Sequence, residues 1–156
     1  MEKLDFIESE AKANAAFHVA CCESLAREAN TFLTLILTGA GATFWYALNL
    51  SAEESYDWQL YGISAVSLYL FIVAALTTGK CLWAREIYPP SNEPTNLNQA
   101  NHDLDVIRLA ELKNRQRCID FNRERNDEVG LWLNRCRLMA SAAPFIFLIS
   151  ALASYL

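Results

Sequence analysis

The sequence predicts an all-α integral membrane protein with three transmembrane helices. Two runs without a charged side chain lie close together at residues 29–52 and 58–79, and a third closes the chain at residues 138–156. Each run is long enough for a helix that crosses the bilayer core, which takes about 20 apolar residues. A hydrophobic content of 53% suits a chain that is divided between lipid and water.

We expect one membrane domain made of six consecutive parts. These are a cytosolic N-terminal helix at 1–28, a first span at 30–51, an external loop at 52–57, a second span at 58–80, a cytosolic turn and helix at 81–133, and a third span at 134–156. Residues 1–28 contain neither glycine nor proline. Because nothing there interrupts a helix, the first two parts can form one continuous rod.

Prolines set the later boundaries. Pro89, Pro90 and Pro94 follow the second span, and proline both lacks an amide donor and clashes with the preceding helical turn. A long helix is therefore expected to resume only near Asn98 and to run to about residue 137. Pro144 is expected to kink the third span.

The charge distribution predicts the orientation. The connector at 53–57 holds three acidic residues and no basic one, whereas all 13 Lys and Arg residues precede the first charge-free run or follow the second, 58–79. Basic residues stay on the cytoplasmic side of a membrane. The N-terminus is therefore expected inside and the C-terminus outside, in a multi-pass protein of a bacterial inner membrane. Five cysteines without paired spacing suit free thiols on that reducing side.

Motifs for catalysis are missing from the sequence. It has no glycine-rich phosphate loop, no HExxH, no GxSxG and only two histidines, so we expect no enzyme, cofactor or metal site. The layout resembles bacterial diacylglycerol kinase in topology alone, because the membrane carboxylates of that family have no counterpart here. Ion-coupled carriers also place ionisable groups in the bilayer, whereas a passive pore needs only a polar or hydrophobic constriction.

Two groups of residues are candidates for a pore and its gate. Thr34 and Thr38 share a face of the first span; they either line a path or bond back to the carbonyl four residues earlier, as membrane threonines commonly do. Steps of three and four residues across 4–25 predict a packing seam that includes Asn14 and His18. That seam either packs on the membrane or the chain's own cytosolic helix, or associates with other copies as a gate.

Basic residues on the long cytosolic helix are candidates for ligand binding. Arg108, Arg115 and Arg123 share one sector of an ideal helix. They suit lipid headgroups, the acidic N-terminal helix, or an anionic ligand whose phosphates the guanidinium groups would hold. The same helix carries a predicted seam at Ile107, Ala110, Asn114, Cys118 and Phe121.

Residues 88–97 read Tyr-Pro-Pro-Ser-Asn-Glu-Pro-Thr-Asn-Leu. Together with the N-terminal helix, the membrane hairpin and the long return helix, this turn resembles the SLATT-like small transmembrane effectors of bacterial anti-phage defence. The transmembrane effector of Hailong-type systems is the most similar in layout, with a last span added here. The resemblance implies an oligomeric channel that a nucleotide-derived ligand or a partner holds closed, and that depolarises the membrane during infection.

The functional hypothesis is a homo-oligomeric, gated, ion-conducting pore. Thr34 and Thr38 would lie beside the path, and Asn14 and His18 would belong to the gate. The partners would be the lipid bilayer, further copies of the chain, and a nucleotide or short oligonucleotide made by a partner enzyme. The alternative is a non-conducting membrane scaffold whose cytosolic helices recruit a soluble partner.

Overall fold

A computed structural model describes residues 2–51, 57–84, 86–89, 92–93, 97–98 and 102–154, with the side chain of Glu2 left out. Its regular elements are helices: α1 at Glu2–Leu50, α2 at Asp57–Thr77 with a π-helical continuation at Thr78–Leu82, α3 at Leu104–Ser141 and α4 at Ala143–Ala153. The all-helical fold class is thus confirmed. Most of the predicted external loop, half of the 88–97 turn, and the last two residues lie outside the described part.

Two helices, α1 and α2 with its π-helical end, are long and apolar enough to cross a membrane. A third span results if α3 and α4 are counted as one bent element. The first helix continues without a break from the polar N-terminal residues into the apolar run, as the composition of residues 1–28 predicts. The orientation and the number of spans remain predictions.

The chain divides into two compact units. The polar unit comprises Met1–Leu25 and Ala84–Glu128, and the apolar unit comprises Ala26–Trp83 and Val129–Leu156. Both α1 and α3 contribute residues to each unit. The boundaries between the units lie within a few residues of those predicted between the cytosolic parts and the spans.

In the polar unit the contact face of α1 agrees with the predicted seam at every second position, including His18, and is shifted by one residue at the positions between them, including Asn14. The contact face of α3 is shifted by one or two residues. Ile7 is 41% exposed and Asn14 is exposed, whereas Ala15 and Cys22 are buried. The inward positions keep the alternation of three and four residues that packed helices require. On α1 they are Leu4, Glu8, Ala11, Ala15, His18, Cys22 and Leu25; on α3 they are Arg108, Leu112, Arg115, Ile119, Asn122 and Asn126.

The physical reason for this offset is twofold. The inward α1 positions include small side chains, such as Ala15 and Cys22, which leave room for a neighbouring helix. Glu8 lies inward because Arg108 pairs with it. Apolarity alone favours Ile7 over Glu8, and so the pattern of apolar residues places this position of the seam one residue too early.

The core of the apolar unit consists of Ile36, Ala40, Leu70, Val73, Ala74 and Cys136. The carbonyl of Ala40 accepts hydrogen bonds from the hydroxyls of Ser67 at 3.1 Å and Thr43 at 3.0 Å. Tyr69 donates its hydroxyl to the carbonyl of Met139 at 2.8 Å. Polar side chains of α2 thus bond directly to the backbones of α1 and α3, which is favourable where water is excluded.

Two predicted boundaries are corrected. Helix α3 begins at Leu104, because Asn98 is not helical and the carbonyl of Asp103 accepts the first helical bonds from Val106 and Ile107. The third predicted span begins inside α3 and breaks at Ala142, where α3 and α4 meet at 41°. Pro144 stands at the start of α4, so the expected kink is present, and it divides the apolar run into two helices.

Candidate functional site

The threonines of the first span face outward from their own chain. Thr34 and Thr38 are exposed, and each donates its hydroxyl to the carbonyl four residues earlier, at 2.9 and 2.8 Å. Thr31 makes the same contact at 3.0 Å. Each hydroxyl therefore satisfies its donor within the helix while its oxygen can still accept a hydrogen bond. The structure shows the back-bonded geometry, and the row of Thr31, Thr34 and Thr38 is not covered by the rest of the chain.

The first span is left largely uncovered by its own chain. Only 11% of its most apolar stretch is buried within the protein, against 33% for α2. Leu35 is 66% exposed and Trp45 is 67% exposed. Lipid or another protein must cover such a surface, because exposed apolar area of this extent is costly in water.

The glycines of α1 contribute little to packing within the chain. A Cβ on Gly39 would make an ordinary 3.6 Å contact with Leu70, and one on Gly41 would meet nothing within 4 Å. The close approach lies instead at Gly62 of α2, where a Cβ would be 2.8 Å from the ring of Phe147 on α4. Glycine is therefore required at 62 by geometry, while 41 is open toward whatever covers α1.

The two predicted gate residues have different environments. Asn14 is exposed, while His18 is partly buried and its ring meets Phe17 edge-on at 5.5 Å between centroids. The carbonyl of His18 accepts a hydrogen bond from Nδ2 of Asn126 at 2.9 Å. His18 thus belongs to the contact with α3, and Asn14 lies on the outer surface of α1, where another copy can reach it. Their role in gating remains a prediction.

A buried polar cluster around Cys22 was not predicted from the sequence. The thiol of Cys22 donates to Oδ1 of Asn126 at 2.8 Å and accepts from the guanidinium of Arg125. Burial raises the pKa of this thiol, and the positive charge of Arg125 opposes that rise. The signal in the sequence was a pair of asparagines four residues apart, at 122 and 126, in a helix whose contact face is otherwise apolar.

Asn122 joins the segment after α2 to α3. Its amide donates to the carbonyl of Tyr88 at 2.9 Å and accepts from the Tyr88 amide at 3.2 Å, so one side chain satisfies both backbone groups of an irregular segment. The ring of Tyr88 also meets Phe121 edge-on at 4.7 Å. Asn122 is only 1% exposed, and both polar atoms of its side chain are hydrogen-bonded to this segment.

Of the three predicted ligand-binding arginines, Arg108 is already paired with acidic residues. Its Nε and Nη2 donate to the two carboxylate oxygens of Glu8 at 2.7 and 2.8 Å, and Nη2 also contacts Asp5. These bonds lower the pKa of Glu8 and raise that of Arg108. The alternative of pairing with the acidic N-terminal helix is therefore what the structure shows for Arg108.

Arg115 and Arg123 have different surroundings. Arg115 is partly buried and lies 3.4 Å from Glu111 on the same helix. Arg123 is exposed and reaches Asp120 at 3.7 Å, a surface pair of the kind that contributes little. Arg108 and Arg115 line one cavity of about 260 Å³, and Arg123 is not among its lining residues. Of the three arginines, Arg115 also lines a larger cavity.

That cavity is a cleft of about 630 Å³ in the polar unit, a volume within the usual range of small-molecule sites. Two arginines and two carboxylates face it together with aromatic rings and amides. The lining residues are Tyr88, Pro89, Asn92, Glu93, Glu111, Asn114, Arg115, Arg117, Cys118 and Phe121. Such a lining can hold a ligand with a planar ring and a charged group.

No family model, no curated protein and no solved structure matches this chain. The resemblance to SLATT-like effectors therefore continues to rest on layout and on residues 88–97. Within the described residues no group of three or more His, Cys, Asp or Glu side chains is placed to hold a metal ion.

Proposed function

We propose that this chain is the subunit of a homo-oligomeric membrane pore that depolarises a bacterial inner membrane, in the manner expected of an anti-phage effector. The observation that supports this most is the open row of Thr31, Thr34 and Thr38 on α1. It is the polar face of an otherwise apolar span, and its own chain leaves it exposed. Around a symmetry axis, several such rows would supply hydroxyl oxygens that substitute for the hydration of an ion.

Regulation in this proposal acts through the polar unit. An anionic ligand, such as a nucleotide or short oligonucleotide, would occupy the cleft beside Arg115. Asp5 and Glu8 are carboxylates held against Arg108, so a phosphate that reached this guanidinium would compete with the first turns of α1. Asn14 and His18 follow on the same helix and would move with them. Charge reversal at Arg115 is expected to abolish regulation while the pore still forms.

The test is conduction by the purified full chain. Induced expression should dissipate the membrane potential, read with a potential-sensitive dye, and liposomes containing the protein should pass ions. Thr34→Val and Thr38→Val together should change the conductance several-fold, because valine keeps the shape and removes the hydroxyl. Thr43→Val is the matched control, since Thr43 lies about two and a half turns from Thr34 and so on the opposite side of α1.

Conduction that is the same in the double variant and the control would reject the threonine row as the path. Oligomers that pass no ions with or without anionic ligands would reject the pore itself. That outcome favours the second candidate, a non-conducting scaffold. The observation behind it is the set of exposed apolar side chains in the polar unit, with Phe6 at 66%, Phe17 at 65% and Leu104 at 69% exposure, which suit a protein partner.

A further inference from the structure

Two cations converge on one indole ring in the apolar unit. Nζ of Lys80 lies 5.1 Å from the centre of the Trp132 ring, and Cζ of Arg135 lies 5.0 Å from it. Both distances are within the range of a cation–π contact. Lys80 comes from the π-helical end of α2 and Arg135 from α3, so two separate elements bring positive charge to the same place.

The π-helical turn is the local feature that presents Lys80 to Trp132. In Thr78–Leu82 the wider i→i+5 turn replaces the α-helical one, and Cys81 is buried while Lys80 stays exposed. The Sγ atom of Cys81 lies 3.9 Å from the carbonyl of Val129 on α3. This contact holds the turn against α3, three residues before Trp132. Turns of this type are frequent at functional sites.

The convergence lacks an acidic counterpart among the described side chains. Neither Lys80 nor Arg135 has a described carboxylate within 4 Å, whereas nearby Arg137 is paired with Glu28 at 2.9 Å. The two cations are at most about 10 Å apart, because each lies about 5 Å from the same ring centre, and an anion between them would offset their mutual repulsion. The indole attracts each cation by its face and supplies no negative charge to neutralise the pair.

The positions of Lys80 and Arg135 in the sequence indicate which kind of anion would bind between them. Lys80 is the first basic residue after the apolar α2, and Arg135 precedes the charge-free residues 138–156 by three positions. Trp83 beside them is 69% exposed. Tryptophan together with Lys or Arg at the end of a span is typical of the level of lipid headgroups, and basic pockets between membrane helices on the cytoplasmic side bind anionic lipids.

We propose that Lys80 and Arg135, held against Trp132, form a binding site for the phosphate of an anionic phospholipid in the inner leaflet. The two cations contact the phosphodiester oxygens, and the indole holds both cations in place. The site is independent of the threonine row and of the cleft. It would therefore persist in a protein that does not conduct.

The test measures lipid retention by the full chain with native mass spectrometry, using phosphatidylglycerol and phosphatidylcholine of equal chain length. The wild type should retain phosphatidylglycerol preferentially. Lys80→Gln with Arg135→Gln should weaken that retention roughly 10- to 30-fold, from about a factor of five for each basic residue. Lys12→Gln with Lys113→Gln is the control, because it removes the same charge from exposed positions in the polar unit and should leave retention unchanged.

Equal retention of phosphatidylglycerol by the Lys80/Arg135 variant and the control would overturn the proposal. So would equal retention of the two lipids by the wild type. Displacement of the lipid by millimolar inorganic phosphate would instead make this a soluble-phosphate site, which also overturns a lipid site. If the double variant does not fold, the single variants and the salt dependence of wild-type retention decide, since an electrostatic site weakens as salt rises.

Discussion

Replacing Asn126 by alanine should loosen the contact between α1 and α3 in the polar unit. The change removes the bond to the His18 carbonyl at 2.9 Å and the acceptor of the Cys22 thiol at 2.8 Å, at a residue only 5% exposed. The amide–carbonyl bond contributes about 1 kcal/mol, and leaving buried polar groups without their partner adds about 1–2 kcal/mol. The local free energy of opening should therefore fall by about 2–3 kcal/mol.

Hydrogen exchange of the α1 amides around residues 18–25, followed by mass spectrometry in detergent, measures this loss. Every 1.4 kcal/mol is a factor of ten in an equilibrium constant, so exchange there should accelerate roughly 30- to 150-fold. Asn134→Ala is the matched control, because Asn134 is an exposed asparagine of the same helix and such changes stay within about 0.5 kcal/mol. Equal protection of residues 18–25 in both variants would refute the role given to Asn126.

An apolar replacement at the same position separates stability from specificity. Asn126→Leu combined with Cys22→Val removes both members of the contact between the thiol and the amide and fills the space. Replacing both members of a polar contact by apolar groups can be neutral or stabilising. If this variant is as protected as the wild type yet alters oligomer size, the asparagine selects the register of the helices more than it stabilises them.

Two further predictions concern close packing and protonation. Gly62→Ala places a Cβ 2.8 Å from the Phe147 ring and should lower the free energy of unfolding in detergent by about 1–3 kcal/mol. Gly41→Ala is the control, because its Cβ meets nothing within 4 Å, and it should not lower the melting temperature. Equal melting temperatures of the two variants would contradict the packing of α2 on α4. Glu8 has a pKa below its ordinary value of 4.5 because Arg108 donates to it, so this contact stabilises fully above pH 4.5 and is lost as the pH falls through the lowered value. A titration of the Glu8 carboxyl by NMR should show that lowered pKa, and Arg108→Gln should return it toward 4.5; a pKa that does not change with Arg108 would contradict the pairing.

The fold could be predicted to the extent that it depends on charge and hydrophobic length. An apolar run that is long enough to cross a bilayer has few alternatives to a helix. The break near Pro144 was also predictable, because it depends on the proline itself and on no distant contact. The face that each helix turns toward its neighbours was harder to predict from the sequence. Glu8 and Arg108 lie inward because they pair with each other across 100 positions of the sequence, and this long-range pairing is absent from a hydrophobic pattern.

The candidate sites show the same limit. The back-bonding of Thr34 and Thr38 was predictable because it is local, from one turn of a helix to the next. The clamp of Asn122 on Tyr88 and the convergence of Lys80 and Arg135 on Trp132 depend on the packing of separate segments. Spacing along the chain gives no indication of such long-range contacts, although a tryptophan in a basic stretch at the edge of a span, such as Trp132, is a signal for one of them.

The carbonyl of Ala40 has a consequence for how easily α1 and α2 can part. It accepts from the hydroxyls of both Ser67 on α2 and Thr43 on its own helix, so it keeps a side-chain donor when α2 moves away. Ser67 can then turn its hydroxyl to a carbonyl one turn earlier in α2, as serines in helices do. When the two helices separate, the Ala40 carbonyl and the Ser67 hydroxyl therefore each keep a hydrogen-bond partner in the hydrocarbon. The hydrogen bond between the two helices therefore adds little to the free energy of separating them, and the packing of Ile36 and Ala40 on Leu70, Val73 and Ala74 holds the pair together.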